Sequence, residues 1–254
     1  NSSPTFQAFS LGNQNLRPEE ADTIAVGVVL QPNFVPGLQL SVDYYNIEVM
    51  EAISTLSLQD IVNRCFAGNQ ELCGLITRVN GVITEMENPY LNLQSLKTDG
   101  LDLEVSYRLP VGPGNFSARF LANRVFTYAT SDGVTEIDRA GDINAGQPKW
   151  SGNATLGYQI GSFNAFADIS YIGKGKYDVT YTLPTDINDN TIGSRTFVNL
   201  QLSYDLGIGG KEQEVFFNVS NVFNERPPAI FVFSGGPNYD QIGRAFRVGV
   251  RFTL

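Results

Sequence analysis

The last stretch, Gln241–Leu254 (QIGRAFRVGVRFTL), decides how the chain is read. From Phe246 onward it alternates without a break. Phe246, Val248, Val250, Phe252 and Leu254 point one way, and Arg247, Gly249, Arg251 and Thr253 the other. A period of two marks a β-strand with unlike faces. One face is apolar to the last residue and the other carries two arginines, which suits a sheet with lipid on one side and water on the other. The closing strand of a soluble sandwich would alternate in the same way, so the rest of the chain has to separate the two.

Composition narrows the choice. The 254 residues suffice for one large all-β domain or two ordinary ones. Charged residues make up 17%, below the roughly 25% of typical soluble domains, and mean hydropathy is −0.10. No apolar run approaches the ~18 residues of a membrane helix, so membrane insertion would have to use strands. A net charge of −9 argues against nucleic acid, which selects basic patches. The chain has no histidine, which removes the commonest general base and most zinc sites. Its two cysteines, Cys65 and Cys73, have no His or further Cys to complete a metal site. A short disulfide in an oxidising compartment is therefore favoured over a metal or redox pair. Asn1 opens on NSSPTFQAF, without a signal peptide, and is expected to be the start of a piece of something longer.

Taken in order, residues 1–21 read as polar and irregular. Strand alternation is expected over Asp22–Gln31, Leu38–Ala52, Lys97–Leu109, Asn115–Tyr128, Pro148–Ile160, Phe163–Tyr177, Ser194–Leu206 and Gln213–Val222, before the terminal strand. In the second of these the phase blurs after Tyr45, as at a bulge. About nine strands of roughly ten residues exceed the ~5–6 of soluble strands and match the ~9–11 that cross a bilayer. The connections alternate. Residues 32–37, 110–114, 161–162 and 207–211 are short turns; 53–96, 129–147, 178–193 and 223–240 are long. Short turns at one end and long loops at the other are the pattern of an outer-membrane barrel. Within the longest break, Leu58, Ile61, Val62, Cys65 and Phe66 fall at helical spacing behind Ser57, a candidate cap. A staple at Cys65 and Cys73 would hold such a loop in shape.

The second face strengthens the barrel reading. Asp43, Asp102, Glu104, Arg108, Arg119, Asp168, Arg247 and Arg251 all lie opposite the apolar face. Unpaired in a dry core they would cost several kcal/mol each; lining a wet lumen they would not. Tyr44, Tyr107, Trp150, Tyr158, Tyr171 and Tyr204 fall near strand ends on the apolar face, where interfacial girdles sit.

Three stretches carry a family resemblance: GNQNLRPEEADTIAVGV (Gly12–Val28), FFNVSNVFNERPP (Phe216–Pro228) and YDQIGRAFRVGVRFTL (Tyr239–Leu254). In this order they resemble the C-terminal part of TonB-dependent receptors, the gated transporters of Gram-negative outer membranes. The cysteine-bearing loop resembles one found in many such receptors. Leu254 departs from the family, which usually ends in Phe. The resemblance implies an all-β, antiparallel transmembrane barrel of about 22 strands plugged by an N-terminal domain. This chain would supply about nine of the strands over residues 1–254, without the plug or the earlier strands. Leu254 and the short turns would lie on the periplasmic side, and the long loops, with the Cys65–Cys73 staple, outside.

Transport is the function so implied, with uptake of a scarce substrate (siderophore-iron, cobalamin or carbohydrate) driven through TonB. Further expected partners are outer-membrane lipid and lipopolysaccharide, and the barrel-assembly machinery, which would read Phe246, Val248, Val250, Phe252 and Leu254. Candidate ligand-binding residues are Tyr90, Tyr128, Trp150, Tyr177, Tyr181, Phe231, Phe233 and Tyr239; loop packing or a membrane girdle would use the same aromatics. The alternative is a soluble β-sandwich module that binds carbohydrate or acts as an adhesin. No enzyme is expected: Asp102 and Glu104 share a face, but nothing sets an acid apart from a base. No cofactor or metal is expected either, since Thr185–Asn190 (TDINDN) lacks EF-hand spacing and Gly207–Gly210 (GIGG) opens no phosphate-cradling helix.

Overall fold

The structure is a computed structural model that describes residues 6–207, 213–229 and 239–252, with only the backbone described at 93 and 94. In chain order its strands begin with β1 (Gln7–Leu11), β2 (Glu20–Leu30) and β3 (Leu38–Ser54). Two helices follow, α1 (Leu58–Phe66) and α2 (Gln70–Cys73). Then come β4 (Ile76–Val79), β5 (Val82–Pro89), β6 (Leu91–Val111), β7 (Gly114–Ser131) and β8 (Glu136–Asp138). The remainder is β9 (Trp150–Ile160), β10 (Phe163–Ile172), β11 (Gly175–Lys176), β12 (Thr191–Ile192), β13 (Arg195–Asp205), β14 (Gln213–Ser220) and β15 (Ala245–Phe252).

The nine long strands form one sheet in the order β15-β14-β13-β10-β9-β7-β6-β3-β2, with β8 beside β7. Each pairs with the next long strand along the chain, as in a barrel wall and unlike the two packed layers of a sandwich. The pairings β7–β9, β9–β10, β10–β13, β13–β14 and β14–β15 are all antiparallel. The apolar set projects from one face and remains uncovered: Val248 is 71% exposed, Ile24 63% and Phe246 65%. Water would not leave so continuous an apolar surface bare on a soluble protein.

The chain divides into two compact units. The larger spans Ile24–Asn46, Thr98–Tyr128 and Asp138–Leu254; the smaller spans Asn1–Thr23, Ile47–Lys97 and Ala129–Ile137. In the larger unit a turn glycine is required at Gly37. Its φ of +85° lies in the left-handed region, and a Cβ there would come within 2.0 Å of the Arg108 carbonyl oxygen.

The smaller unit has its own core of Leu56, Ile61, Leu72, Ile76 and Met86. Helix α1 starts where its sequence indicates: the Ser57 side chain accepts the Asp60 amide, and Ile61 turns inward, fully buried. Cys65 and Cys73 are joined, with Cα atoms 4.7 Å apart. Three strands here depart from expectation. Strands β1, β4 and β5 make a separate sheet, order β1-β5-β4, inside stretches expected to be irregular, and β1 runs parallel to β5. The β4–β5 hairpin has a plain sequence cause: Asn80-Gly81, both at positive φ (53° and 82°), is the residue pair a tight two-residue turn demands. Strand β6 also starts earlier than expected, at Leu91.

Past the region where the phase blurs, Glu51 takes a φ of +53° within β3. Arg17 pairs with its carboxylate at 2.8 Å, and the Asn92 amide donates to its carbonyl at 2.8 Å. Turning Glu51 out of the pleat lets both bonds form at a point where strand alternation has already failed.

Candidate functional site

Strand register carries the polar side chains to one face of the sheet. Across β9, β10 and β13, Thr155, Asp168 and Asn199 stand in a row. Across β13, β14 and β15 the rows are Gln201, Asn218, Arg247 and then Asp205, Glu214, Arg251. Between them, Ser203, Phe216 and Gly249 form a third row. Of the charged residues expected on this face, Arg119, Asp168, Arg247 and Arg251 fall in register with these rows, Glu104 and Asp102 reach them through Arg119 and Asn123, and Asp43 and Arg108 line recesses beside them.

Many of them are paired there. Arg119 Nε donates to Glu104 Oε1 at 2.7 Å, and Arg251 Nη1 to Glu214 Oε2 at 3.1 Å. Arg251 also stands over the Phe216 ring, 5.9 Å from its centroid. Asn123 donates to Asp102 at 2.7 Å and to the Tyr45 hydroxyl at 3.2 Å, and Ser41 donates to Asp43 at 2.9 Å. Asn199 donates to Asp168 at 3.5 Å while accepting the Asn221 amide at 2.9 Å. Arg108 and Arg247 are exposed. Several recesses open on this face. One of about 380 Å³ is lined by Asp43, Asp102, Glu104 and Asn123. Another, of about 390 Å³, is lined by Ser170, Asn199, Ser220, Asp240 and Arg247.

Beyond the sheet, the long connections of the larger unit build a cluster of their own. Asp142 is fully buried. Its Oδ2 accepts Arg139 Nη1 at 2.7 Å and the Val179 amide at 3.2 Å; its Oδ1 accepts the amides of Asn144 at 3.1 Å and Ala145 at 2.9 Å. Asn190 clasps Asp178 reciprocally through its side-chain amide at 3.1 and 2.7 Å. Ile143, Ile172, Ile192, Phe197 and Tyr239 pack together beside this network.

Two loop carboxyls are acid-sensitive by construction. At Asp178, burial works to raise the carboxyl; hydrogen bonds from the Thr180 hydroxyl and amide, with the Arg139 charge, outweigh it and hold the group below its usual value. In the smaller unit the same balance acts on Asp132, where burial is outweighed by the amides of Thr135 and Val134 and by Arg64, its ion-pair partner. A carboxyl depressed by folding adds stability that is complete above its unfolded value, about 4, and disappears as pH falls through the folded value. In the folded protein, protease resistance of the 138–193 segment is expected to be flat from pH 8 to about 5 and to fall below about 4. Asp178→Asn is expected to weaken the segment at neutral pH and to flatten that acid limb. An unchanged acid limb in the variant would overturn the assignment.

The candidate ligand aromatics separate into distinct settings. Tyr177 and Tyr181 sit together, ring centroids 5.8 Å apart, with Tyr181 40% exposed. Tyr239 is buried, edge-on to Phe197 at 6.4 Å, and Tyr177 packs on the same core. Tyr90 is exposed in the smaller unit, its carbonyl accepting the Asn13 side chain at 2.9 Å. Trp150 stands across from Arg124, at the parity of the apolar set, and the Tyr128 amide donates to Asp138 at 3.0 Å near the end of β7. Phe231 and Phe233 lie outside the described residues, as does Leu254. Phe246, Val248, Val250 and Phe252 are all on the apolar face of β15.

Asn123, Asn199, Asn218 and Gln201 are not among the candidate site residues, although their parity along the strands sets them with the acids. Nor is the Arg139–Asp142–Asp178 group. There the only local signal is the i, i+3 spacing of opposite charges in Arg139–Asp142.

Comparison with known proteins agrees with this architecture. The family model "TonB dependent receptor-like, beta-barrel" matches residues 1–222. Among solved structures, the siderophore receptor PirA from Acinetobacter baumannii is 13% identical, with 96% of this chain and 33% of that one covered at a TM-score of 0.61. The pyoverdine receptor FpvA from Pseudomonas aeruginosa, bound to pyoverdine, is 16% identical over 96% of this chain and 31% of its own, TM-score 0.61. The outer membrane transporter YddB from Escherichia coli is 10% identical over 98% and 34%, TM-score 0.60. The chain thus spans about a third of the length of the solved structures it matches. No curated protein matches it.

Proposed function

Because the chain belongs to the TonB-dependent receptor β-barrel family, which places it in the outer membrane, we propose that it forms part of the wall of an active-transport receptor energised through TonB. The family is one of transport receptors, not of enzymes. The observation that supports transport most is the two-faced sheet: a bare apolar face backed by rows of hydrogen-bonded and ion-paired polar side chains. In this reading Asp43, Asp102, Glu104, Arg108, Arg119, Asp168, Arg247 and Arg251 line the wet lumen. Residues 1–254 are the C-terminal portion of the receptor barrel, the short turns are periplasmic, and the long loops, stapled at Cys65–Cys73, face outward.

Substrate capture falls to the loops. Among the described candidate aromatics of the loops, Tyr181, beside Tyr177, and Tyr90 are exposed, and Tyr239 and Asp142 hold the loop cluster that carries Tyr177 and Tyr181. Siderophore-iron is the class placed first, since PirA is a siderophore receptor and FpvA is bound to pyoverdine; cobalamin and carbohydrate follow. The barrel-assembly machinery would read β15.

The test uses the full-length gene in its host. Uptake of ferric siderophores, cobalamin and oligosaccharides is measured in wild-type cells, a deletion strain and a strain without TonB. One substrate class is expected to lose uptake in both mutants. Uptake unchanged for every class, with the protein present in the outer membrane, would sink the proposal.

A further inference from the structure

A recess without acids opens on the polar face at its short-turn end. Strand register stacks two rows there: Ser117, Gly157 and Phe166, then Asn115 and Gln159. With Arg108 from the end of β6 they line a space of about 360 Å³, within the range of small-ligand sites. The rows lie beside the tight connections from β6 to β7 and from β9 to β10, at the opposite end of these strands from the 138–193 cluster. Gly157 is buried and shapes the floor: a Cβ there would lie 2.6 Å from Ser117 Oγ and 3.0 Å from the Phe166 ring.

The lining is polar but unpaired. The Arg108 backbone amide is fixed by the Gly37 carbonyl at 3.1 Å. Its guanidinium is exposed and, among the described residues, enters no hydrogen bond or ion pair. The side chains of Asn115, Ser117 and Gln159 are likewise unengaged among the described residues. Phe166 rests over Gly157 with 42% of its surface still open. No carboxylate lines the recess, in a chain of net charge −9 whose neighbouring recess is lined by Asp43, Asp102 and Glu104. The two recesses therefore differ in sign: an anion is repelled from one and drawn to the other.

We propose that this recess binds an aromatic carboxylate, its anion held by the Arg108 guanidinium with the Asn115 and Gln159 amides, and its ring laid on Phe166. A guanidinium meets a carboxylate with two parallel, charge-assisted hydrogen bonds. Side-chain amides add neutral donors, and offset rings attract beyond their burial. The inference rests on the lumen reading of the polar face and adds to it a ligand class at the end away from the loop aromatics.

The test is saturation-transfer NMR on the detergent-purified full-length protein with benzoate, set against benzyl alcohol, acetate and inorganic phosphate. Benzoate is expected to bind with a Kd of about 1 mM, ordinary for so small a ligand, and the three controls about tenfold more weakly. Arg108→Gln is expected to weaken benzoate by about tenfold, and Arg108→Lys, which keeps the charge but not the fork, by several-fold. Neither change removes a side-chain contact of the wall, so both should keep the heat-modifiable gel shift. Benzoate binding that is absent, matched by benzyl alcohol, acetate or phosphate, or unchanged in the assembled variants would overturn the proposal. The readout is binding to purified protein, so its failure leaves the transport reading to the uptake assay, and failure of that assay leaves the binding result intact.

Discussion

A receptor carrying Leu200→Arg is expected to be nearly absent from the outer membrane as folded barrel, while Gln201→Arg, one residue on, assembles normally. Leu200 is at the middle of β13, paired with Ala167 on one side and Val219 on the other. All three project from the apolar face. An arginine near the bilayer midplane costs about 2–4 kcal/mol on a barrel's lipid side, a large part of a marginal stability. Gln201 points to the polar rows beside Asn218 and Phe166, where a further cation meets water. The comparison is read as the heat-modifiable fraction on unboiled gels. Equal assembly of the two variants would mean that the faces have been assigned the wrong way round.

The second large effect is expected at Asp142. Its carboxylate is wholly buried and holds four donors, three of them backbone amides, two from the turn at Asn144–Ala145 and one from Val179 in the next long loop. Asp142→Ala would leave the Arg139 guanidinium, itself 19% exposed, with only its longer contact to Asp178 at 3.5 Å, and leave those amides without their acceptor. Removing one partner of a buried pair typically costs about 3–5 kcal/mol. The barrel should still form, since the strands below owe nothing to this group. The 138–193 segment should become protease-sensitive in the folded receptor, and substrate affinity should fall with it. Asp142→Asn keeps the shape and most acceptor capacity and should be milder. Wild-type protease resistance in Asp142→Ala would show that the cluster does not hold the loop.

The barrel strands were legible because lipid on one side and water on the other impose a two-residue rhythm that no other environment repeats so long. Helix α1 was legible for a similar reason: Ser57 and the spacing of Leu58, Ile61, Val62 and Cys65 are local. The small sheet was missed although Asn80-Gly81 announces a hairpin, because β4 and β5 flank it with mixed polarity and pack in a small separate core. The Asp142 network had no comparable signal. It unites Arg139, Val179 and, through Asp178, Asn190, and nothing in the residues between them records that they meet. Tyr177 and Tyr239 illustrate the same limit: tyrosines in polar loops look available, yet these two help fill a core.

The notches in the polar face bear on how the strands find their alignment. Alternation forbids a slip of one residue, which would turn every side chain to the wrong side, but it is blind to a slip of two. Two glycines break that degeneracy. A Cβ on Gly249 would lie 2.5 Å from the Phe216 ring, and one on Gly157 would lie 3.0 Å from Phe166. Sliding β15 by two against β14 would set Phe216 across from Arg247 or Arg251, where a side chain already occupies the space and the Glu214–Arg251 pair is broken. Sliding β9 against β10 would meet Thr155 or Gln159 in the same way. Each ring and its bare partner act as a key in a single slot, so the polar face supplies the alignment that the lipid face cannot encode.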